Sequence, residues 1–271
     1  GSSSFDLANK LAESMTGRAT YLNLYPLSVV ELPQEELRFG LDKNIEELMI
    51  FGMYPKIHTL GSQKEKEQYL LDIVNTYLYK DLLMLEGIRK PKKIIDLLQL
   101  LAFQIGSEVS VQELSQNLQI AHVVVEKYLD VLEKMFIIIN LRGLSRNLRK
   151  EIYKTSKYYF LDLGLRNALL RNFNPLKYRN DAGQLFENFC FVERLKFLRN
   201  NRKFTNHYFW RTYDQKEIDL IEERNGKLTA FEFKYGSGKI PPATKKEFLE
   251  TYPGSEFKII TPENLEEFII K

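Results

Sequence analysis

The 271-residue chain reads as an α/β protein of more than one domain, on three observations. From about Asn44 to Asn140 apolar residues recur at helical spacing. From about Asp181 onward the pattern changes to helix, three strands, helix, strand and final helix, the order of a mixed sheet with flanking helices. The opening segment holds one helix and one strand, which cannot close a core of their own.

The elements run in order along the chain. Ser3 or Ser4 can cap a helix through about Ser14, Gly17 stops it, Ala19 to Leu24 alternates as a strand, and Pro26 breaks it. This opening reads as the end of a unit that begins upstream. Leu70, Ile73, Val74, Tyr77 and Leu78 make one apolar helical stripe, and Ile94, Leu97, Leu98, Leu101 and Ala102 another, with Pro91 in its first turn. Ser110-Val111-Gln112-Glu113 matches a capping box and opens a short helix through Leu118. After a turn near Gln119 and Ile120, a longer helix runs from about Ala121 to Met135, then a strand from Phe136 to Leu141, with Lys157 to Leu161 as its return. This succession outlines a winged helix. Beyond it come a helix (about Asp181 to Leu198), strands His207–Thr212, Glu217–Glu222 and Lys227–Lys234, a helix near Thr244 to Thr251, the strand Phe257–Ile260, and a helix after Thr261-Pro262.

Composition narrows the classes. With 44% hydrophobic and 28% charged residues the chain can bury a core and is not disordered. A single cysteine, Cys190, excludes an internal disulfide framework and a Cys-rich zinc site, and fits a reducing, cytoplasmic setting. His58, His122 and His207 lie too far apart for a histidine metal motif. No apolar run is long enough for a membrane span, so no membrane partner is expected. The net charge of +3 argues for no partner by itself.

The pattern that points to chemistry is a hairpin. Asn225-Gly226 between two alternating runs signals a two-residue turn, with both residues suited to positive φ. That turn places Asp219 directly opposite Glu232, with Cβ atoms roughly 4.5–5.5 Å apart. Lys234 shares the face of Glu232, while Phe231 and Phe233 point to a core. Two carboxylates and a lysine on one face can hold Mg²⁺ or Mn²⁺ and activate a water for phosphodiester hydrolysis. The same register also sets Lys234 opposite Glu217, which a plain cross-strand salt bridge would explain.

Asp219, Phe231-Glu232-Phe233-Lys234 and the upstream helix with Gly183-Gln184-Leu185-Phe186-Glu187-Asn188 resemble the PD-(D/E)XK nuclease-like fold. Tyr158-Tyr159-Phe160-Leu161-Asp162-Leu163-Gly164-Leu165-Arg166, Ser145-Arg146-Asn147-Leu148-Arg149-Lys150-Glu151 and Trp210-Arg211 are similar to a large prokaryotic group of AAA-type ATPases. In that group an N-terminal ATPase precedes a domain of unknown function, made of a winged helix and a restriction-endonuclease-like mixed sheet. The resemblance implies three parts: residues 1–40 as the end of the ATPase core, 41–160 as the helical region with the winged helix, and 161–271 as the nuclease-like domain. It implies Asp219 and Glu232 as metal ligands, Lys234 as the lysine of the motif and Glu187 as an additional helical acid; otherwise Glu187 lies on the solvent stripe of its helix. No G-x-x-x-x-G-K-[ST] loop occurs here, so ATP is expected only in a longer parent protein, and no ATPase activity from this chain alone. Arg18 has the place of an ATPase arginine finger or sensor, or of a surface arginine before a strand.

Partners divide into two expectations. The second helix of the winged-helix outline opens Ala121-His122-Val123-Val124-Val125 and carries net negative charge, a poor surface for a phosphate-lined groove. Its valines are expected against a neighbouring helix or a partner chain. Arg142, Arg146, Arg149, Lys150, Lys154 and Lys157, against Glu151 alone, form a basic stretch suited to sequence-independent contacts with a nucleic-acid backbone. The leading expectation is thus a nucleic-acid-associated, Mg²⁺- or Mn²⁺-dependent nuclease module. The alternative is a non-catalytic interaction or oligomerisation module, with a homo-oligomer or protein partner. Cys190, among apolar neighbours, reads as an inert buried thiol.

Overall fold

The computed structural model describes residues 23–33, 40–79, 82, 91–144, 156–212, 214–236 and 242–270. The expected first helix, Arg18 and most of the first strand lie outside the described residues. Nine α-helices occur among those described: α1 (Leu41–Phe51), α2 (Gln63–Asp72), α3 (Pro91–Phe103), α4 (Val111–Leu118), α5 (His122–Lys134), α6 (Leu163–Leu170), α7 (Ala182–Asn200), α8 (Pro242–Thr251) and α9 (Leu265–Ile270). They flank a seven-stranded mixed sheet made of β1 (Glu108–Val109), β2 (Ile138–Gly143), β3 (Ser156–Phe160), β4 (Asn206–Arg211), β5 (Glu217–Arg224), β6 (Lys227–Phe233) and β7 (Glu256–Ile260).

The strand order is β1-β3-β2-β4-β5-β6-β7. Pairs β2/β4 and β6/β7 are parallel and the rest antiparallel. The mixed α/β class read from the sequence holds. One sheet, however, runs through both halves, joined where Arg142 and Gly143 pair with Tyr208 and Phe209. Among the described residues no helix is long and apolar enough to cross a membrane.

Local chemistry explains the element ends. Ser110 accepts the Glu113 N–H and opens α4, which Gln119 closes in the left-handed conformation. At the end of α5, Phe136 takes φ +56° while Phe136 N–H and Ile137 N–H reach back to Glu133 and Leu132. This C-cap delays β2 to Ile138, two residues later than the apolar pattern suggests. Of the three valines in α5, Val125 is buried but Val123 is 72% exposed, so not all of them pack inward.

The Leu161-to-Arg166 segment is a structural clamp. Asp162 caps α6 through the Leu165 N–H and also accepts the Met53 N–H at 2.7 Å. A Cβ on Gly164 would lie 2.1 Å from the Phe51 carbonyl oxygen, so α6 touches the end of α1 backbone to backbone. Asn167 donates to the Met49 and Ile50 carbonyls, and Arg166 to the Ala102 carbonyl and to Asp181. Asp162, Arg166 and Asn167 stay inside because each is answered by a partner. The segment around Leu27 to Val29 is tied down by the same logic: Val29 N–H donates to Glu193, and Lys196 to the Leu27 carbonyl and Glu193.

Candidate functional site

The Asn225-Gly226 turn has φ +53° and +74°, and β5 pairs with β6 in the expected register from Arg224↔Lys227 to Leu220↔Phe231. Beyond that pair the ladder changes. Ile221 pairs with Tyr208 but Ile218 with Trp210, so β5 carries one residue more than β4 over this stretch, a bulge at residues 219–220. Bulges re-aim side chains, often beside functional sites. Here the Asp219 carboxylate accepts the Phe233 N–H at 2.8 Å. Asp219 and Glu232 therefore lie at a break in the sheet and not as an ordinary facing pair.

Around this break the structure gathers the four residues that the sequence assigned to the site, together with Lys157 and Tyr159 of β3 and Glu217 of β5. Lys234 Nζ donates to Glu232 Oε1 at 2.7 Å. The other oxygen, Glu232 Oε2, is buried without a hydrogen-bond partner, on a residue only 7% exposed. Glu187 reaches the site from the first half of α7, where Lys157 Nζ (2.9 Å) and Tyr159 OH (2.6 Å) both donate to its Oε1. Glu187 is thus not on a solvent stripe. Lys157 also meets Glu217 at 2.5 Å, and Arg211 bridges Glu217 and Glu108. The cross-strand pair of Lys234 with Glu217 is replaced by Lys157–Glu217 and Lys234–Glu232.

Electrostatics mark the same place. Burial, then the charges of Glu187 and Glu232, hold the Asp219 carboxyl well above its usual range. Burial also raises Glu232, although Lys234 opposes it. Burial works against the charge of Lys157, but Glu187, Tyr159, Asp219 and Glu217 more than offset this and keep its ammonium protonated. Lys234 behaves alike: burial opposes its charge, and Glu232 outweighs it.

The basic stretch is not one surface. Lys157 is 1% exposed and spends its charge on carboxylates, so it is no phosphate contact of an exposed wing. The physical reason is the strand alternation: Lys157 and Tyr159 share the face of β3 turned to α7. Arg142 is exposed on β2. Arg146, Arg149, Lys150 and Lys154 lie outside the described residues. Cys190 is fully buried, and burial followed by the nearby carboxylates pushes its thiol well up.

Sequence reading missed Lys157, Tyr159 and Glu217 as members of this site. The signal available was the i, i+2 spacing of Lys157 and Tyr159 on one strand, but nothing local says that β3 lies across from α7.

Two carboxylates, one with an unanswered oxygen, and a lysine suit a hard divalent ion, since Mg²⁺ is commonly held by one or two carboxylates and otherwise keeps its waters. Among the described residues no group of three or more His, Cys, Asp or Glu side chains is placed to hold a metal.

Residues 42–176 match a domain of unknown function, DUF8612, and residues 182–266 match another, DUF4143. The second is a domain found in AAA-ATPase-associated proteins. Among curated proteins, the chain is 27% identical over 237 residues to an uncharacterised protein of Mycobacterium tuberculosis, covering 86% of this chain and 51% of that protein. It is 26% identical to an uncharacterised protein of Haemophilus influenzae (83% and 55% covered) and 25% identical to one of Methanocaldococcus jannaschii (75% and 48%). The chain spans about half the length of the curated relatives it matches. No solved structure matches it.

Proposed function

We propose that the chain is the nucleic-acid-associated C-terminal part of an AAA-type ATPase, with a divalent-metal-dependent phosphodiesterase site in its last part. Asp219 and Glu232 are the metal ligands, Lys234 the motif lysine and Glu187 the additional helical acid. The observation that carries this reading is the unanswered Glu232 Oε2, buried beside a raised Asp219 carboxyl. Carboxylates crowded without enough counter-charge are costly, and a cation relieves the cost.

Several features support the architecture behind it. The succession α3, β1, α4, α5, β2, β3, with β1 and β2 on either side of β3, suits a winged helix. The α7, β4, β5, β6, α8, β7 order, with the acids at the β5 bulge, suits a nuclease-like fold. The division into residues 1–40, 41–160 and 161–271 belongs to the same proposal, as do a cytoplasmic setting and ATP binding by a longer parent.

A bound Mg²⁺ or Mn²⁺ would lower the pKa of a water and neutralise charge on a phosphodiester. The chain's own groups do the rest. Asp219, anchored by the Phe233 N–H through one oxygen, keeps the other for binding. Lys234, half-buried, brings a positive charge to the Glu232 side of the site, where it can stabilise charge on a phosphoryl oxygen. Arg142, exposed on β2, is a candidate backbone contact for the nucleic acid.

The test is cleavage of DNA and RNA with Mn²⁺ by wild type and Asp219→Asn. Loss of cleavage in the variant supports the assignment; equal cleavage by both sinks it. A second reading, a non-catalytic interaction module, draws on Val123 and Phe103, each 72% exposed. Light scattering tests it: concentration-dependent assembly that needs no metal, without any cleavage, favours it over the nuclease.

A further inference from the structure

The two-carboxylate metal site proposed above leaves the buried ammonium of Lys157 unexplained, and the role inferred for this lysine rests on that site. Lys157 stands on β3, far in sequence from the hairpin, with its side chain 1% exposed between Glu187 Oε1 at 2.9 Å and Glu217 Oε1 at 2.5 Å. Tyr159, two residues along the same strand, donates to the same Glu187 oxygen at 2.6 Å. The second oxygen, Glu187 Oε2, faces the turn at Gly106, where a Cβ would lie 3.3 Å from it. One oxygen of Glu187 is therefore engaged by an ammonium and a phenol, and the other is turned to a backbone turn. Glu217 is held likewise, by Lys157 on one oxygen and Arg211 on the other.

We infer that Lys157 is a positioning residue that withdraws Glu187 from metal coordination, so that the centre takes a single divalent ion on Asp219 and Glu232. The ammonium is a fixed cation where a second ion would have to sit, and it is answered well enough to stay buried. Glu187 then serves as the anchor of Lys157, not as a ligand, and β3 from the helical half contributes charge balance to a site on the hairpin. Removal of one partner of such a buried pair frees the other for a new cation.

Mn²⁺ titration of the whole chain, read by the paramagnetic resonance of the free ion, tests this without any activity assay. Wild type is expected to bind one ion per chain. Asp219→Asn is expected to weaken binding by about tenfold or more, the scale of metal-site losses, and Glu187→Gln to stay within about threefold of wild type. Lys157→Met, with Glu187 and Glu217 released, is expected to bind a second ion, and Lys157→Arg to restore one. Two ions on wild type, or a Glu187→Gln loss equal to that of Asp219→Asn, overturns the inference and leaves the metal site standing. Should Lys157→Met fail to fold, the pair Lys157→Met with Glu187→Gln is expected to bind one ion with wild-type affinity; a loss of about tenfold there overturns the inference as well. No binding by wild type at millimolar Mn²⁺ overturns the metal reading itself, and the inference with it.

Discussion

The carboxylate of Asp219 accepts the backbone N–H of Phe233 at 2.8 Å, where a regular ladder would offer a carbonyl of β5. The bulge that permits this exchange both ends the strand pairing and aims an acid at Glu232 and Glu187. Burial and the neighbouring charges of Glu187 and Glu232 make the ionised form of Asp219 costly there.

Asp219→Asn is therefore expected to stabilise the metal-free chain while weakening its response to Mn²⁺. The Asp219 carboxyl is held above its ordinary value of 3.8, so its ionisation opposes folding: stability is fullest below pH 3.8 and falls as pH rises through the raised value. Asparagine keeps an acceptor for the Phe233 N–H and removes the charge. Thermal unfolding at neutral pH is expected to show a midpoint higher by roughly 2–4 °C, the shift of about 1 kcal/mol for a chain of this size. A lower midpoint would mean that the charge is stabilising and the crowding is misjudged.

Asp181 has the opposite sign. Burial pushes its carboxyl up, but hydrogen bonds and charge from Arg179 and Arg166 hold it at about 2. The stability it contributes is complete above 3.8 and is lost as pH falls through about 2. Asp181→Ala leaves two guanidiniums, 2% and 1% exposed, without their carboxylate. A loss of about 3–5 kcal/mol is expected in urea unfolding at pH 7, and much less of it at pH 2.

Gly164→Ala tests the clamp between α6 and α1. The added Cβ meets the Phe51 carbonyl oxygen at 2.1 Å, and a backbone atom cannot swing aside as a side chain can. Destabilisation of about 3 kcal/mol or more is expected, the upper range of overpacking, measured as the urea midpoint or as loss of folded material.

Arg142→Glu is expected to lower the affinity for a nucleic-acid backbone and to reduce the salt slope by about one, whereas Lys157→Met leaves the slope unchanged. Filter binding across a salt series separates the two, because one side chain is exposed and the other buried. Equal effects would place Lys157 on the binding surface after all.

Cys190 is expected not to react with a thiol reagent in the folded chain and to react fully once unfolded. Its raised thiol and complete burial both suppress the thiolate.

Much of this molecule is written locally. The Asn225-Gly226 turn, the Ser110 cap and the helical stripes through Leu70 and Leu97 are decided by neighbours within a few residues, and so α3, α4, α5 and the elements from α7 to α9 could be read in order, whereas β1 and α6 were not. The hairpin even yielded the register that brings Asp219 near Glu232. Other features depend on contacts between residues far apart in the chain. The parallel joint of β2 with β4 has no turn to announce it, and the bulge at 219–220 exists only against Tyr208 and Trp210. Lys157 carried the composition of a basic loop until the fold set it between α7 and β5, where Glu187 and Glu217 claim its charge. Residue order along the chain settles most of the helices and strands and which acids share a hairpin. Which charges meet is settled by the folded arrangement, because burial and pairing across distant strands set the energy of an ion far more than its neighbours along the chain do.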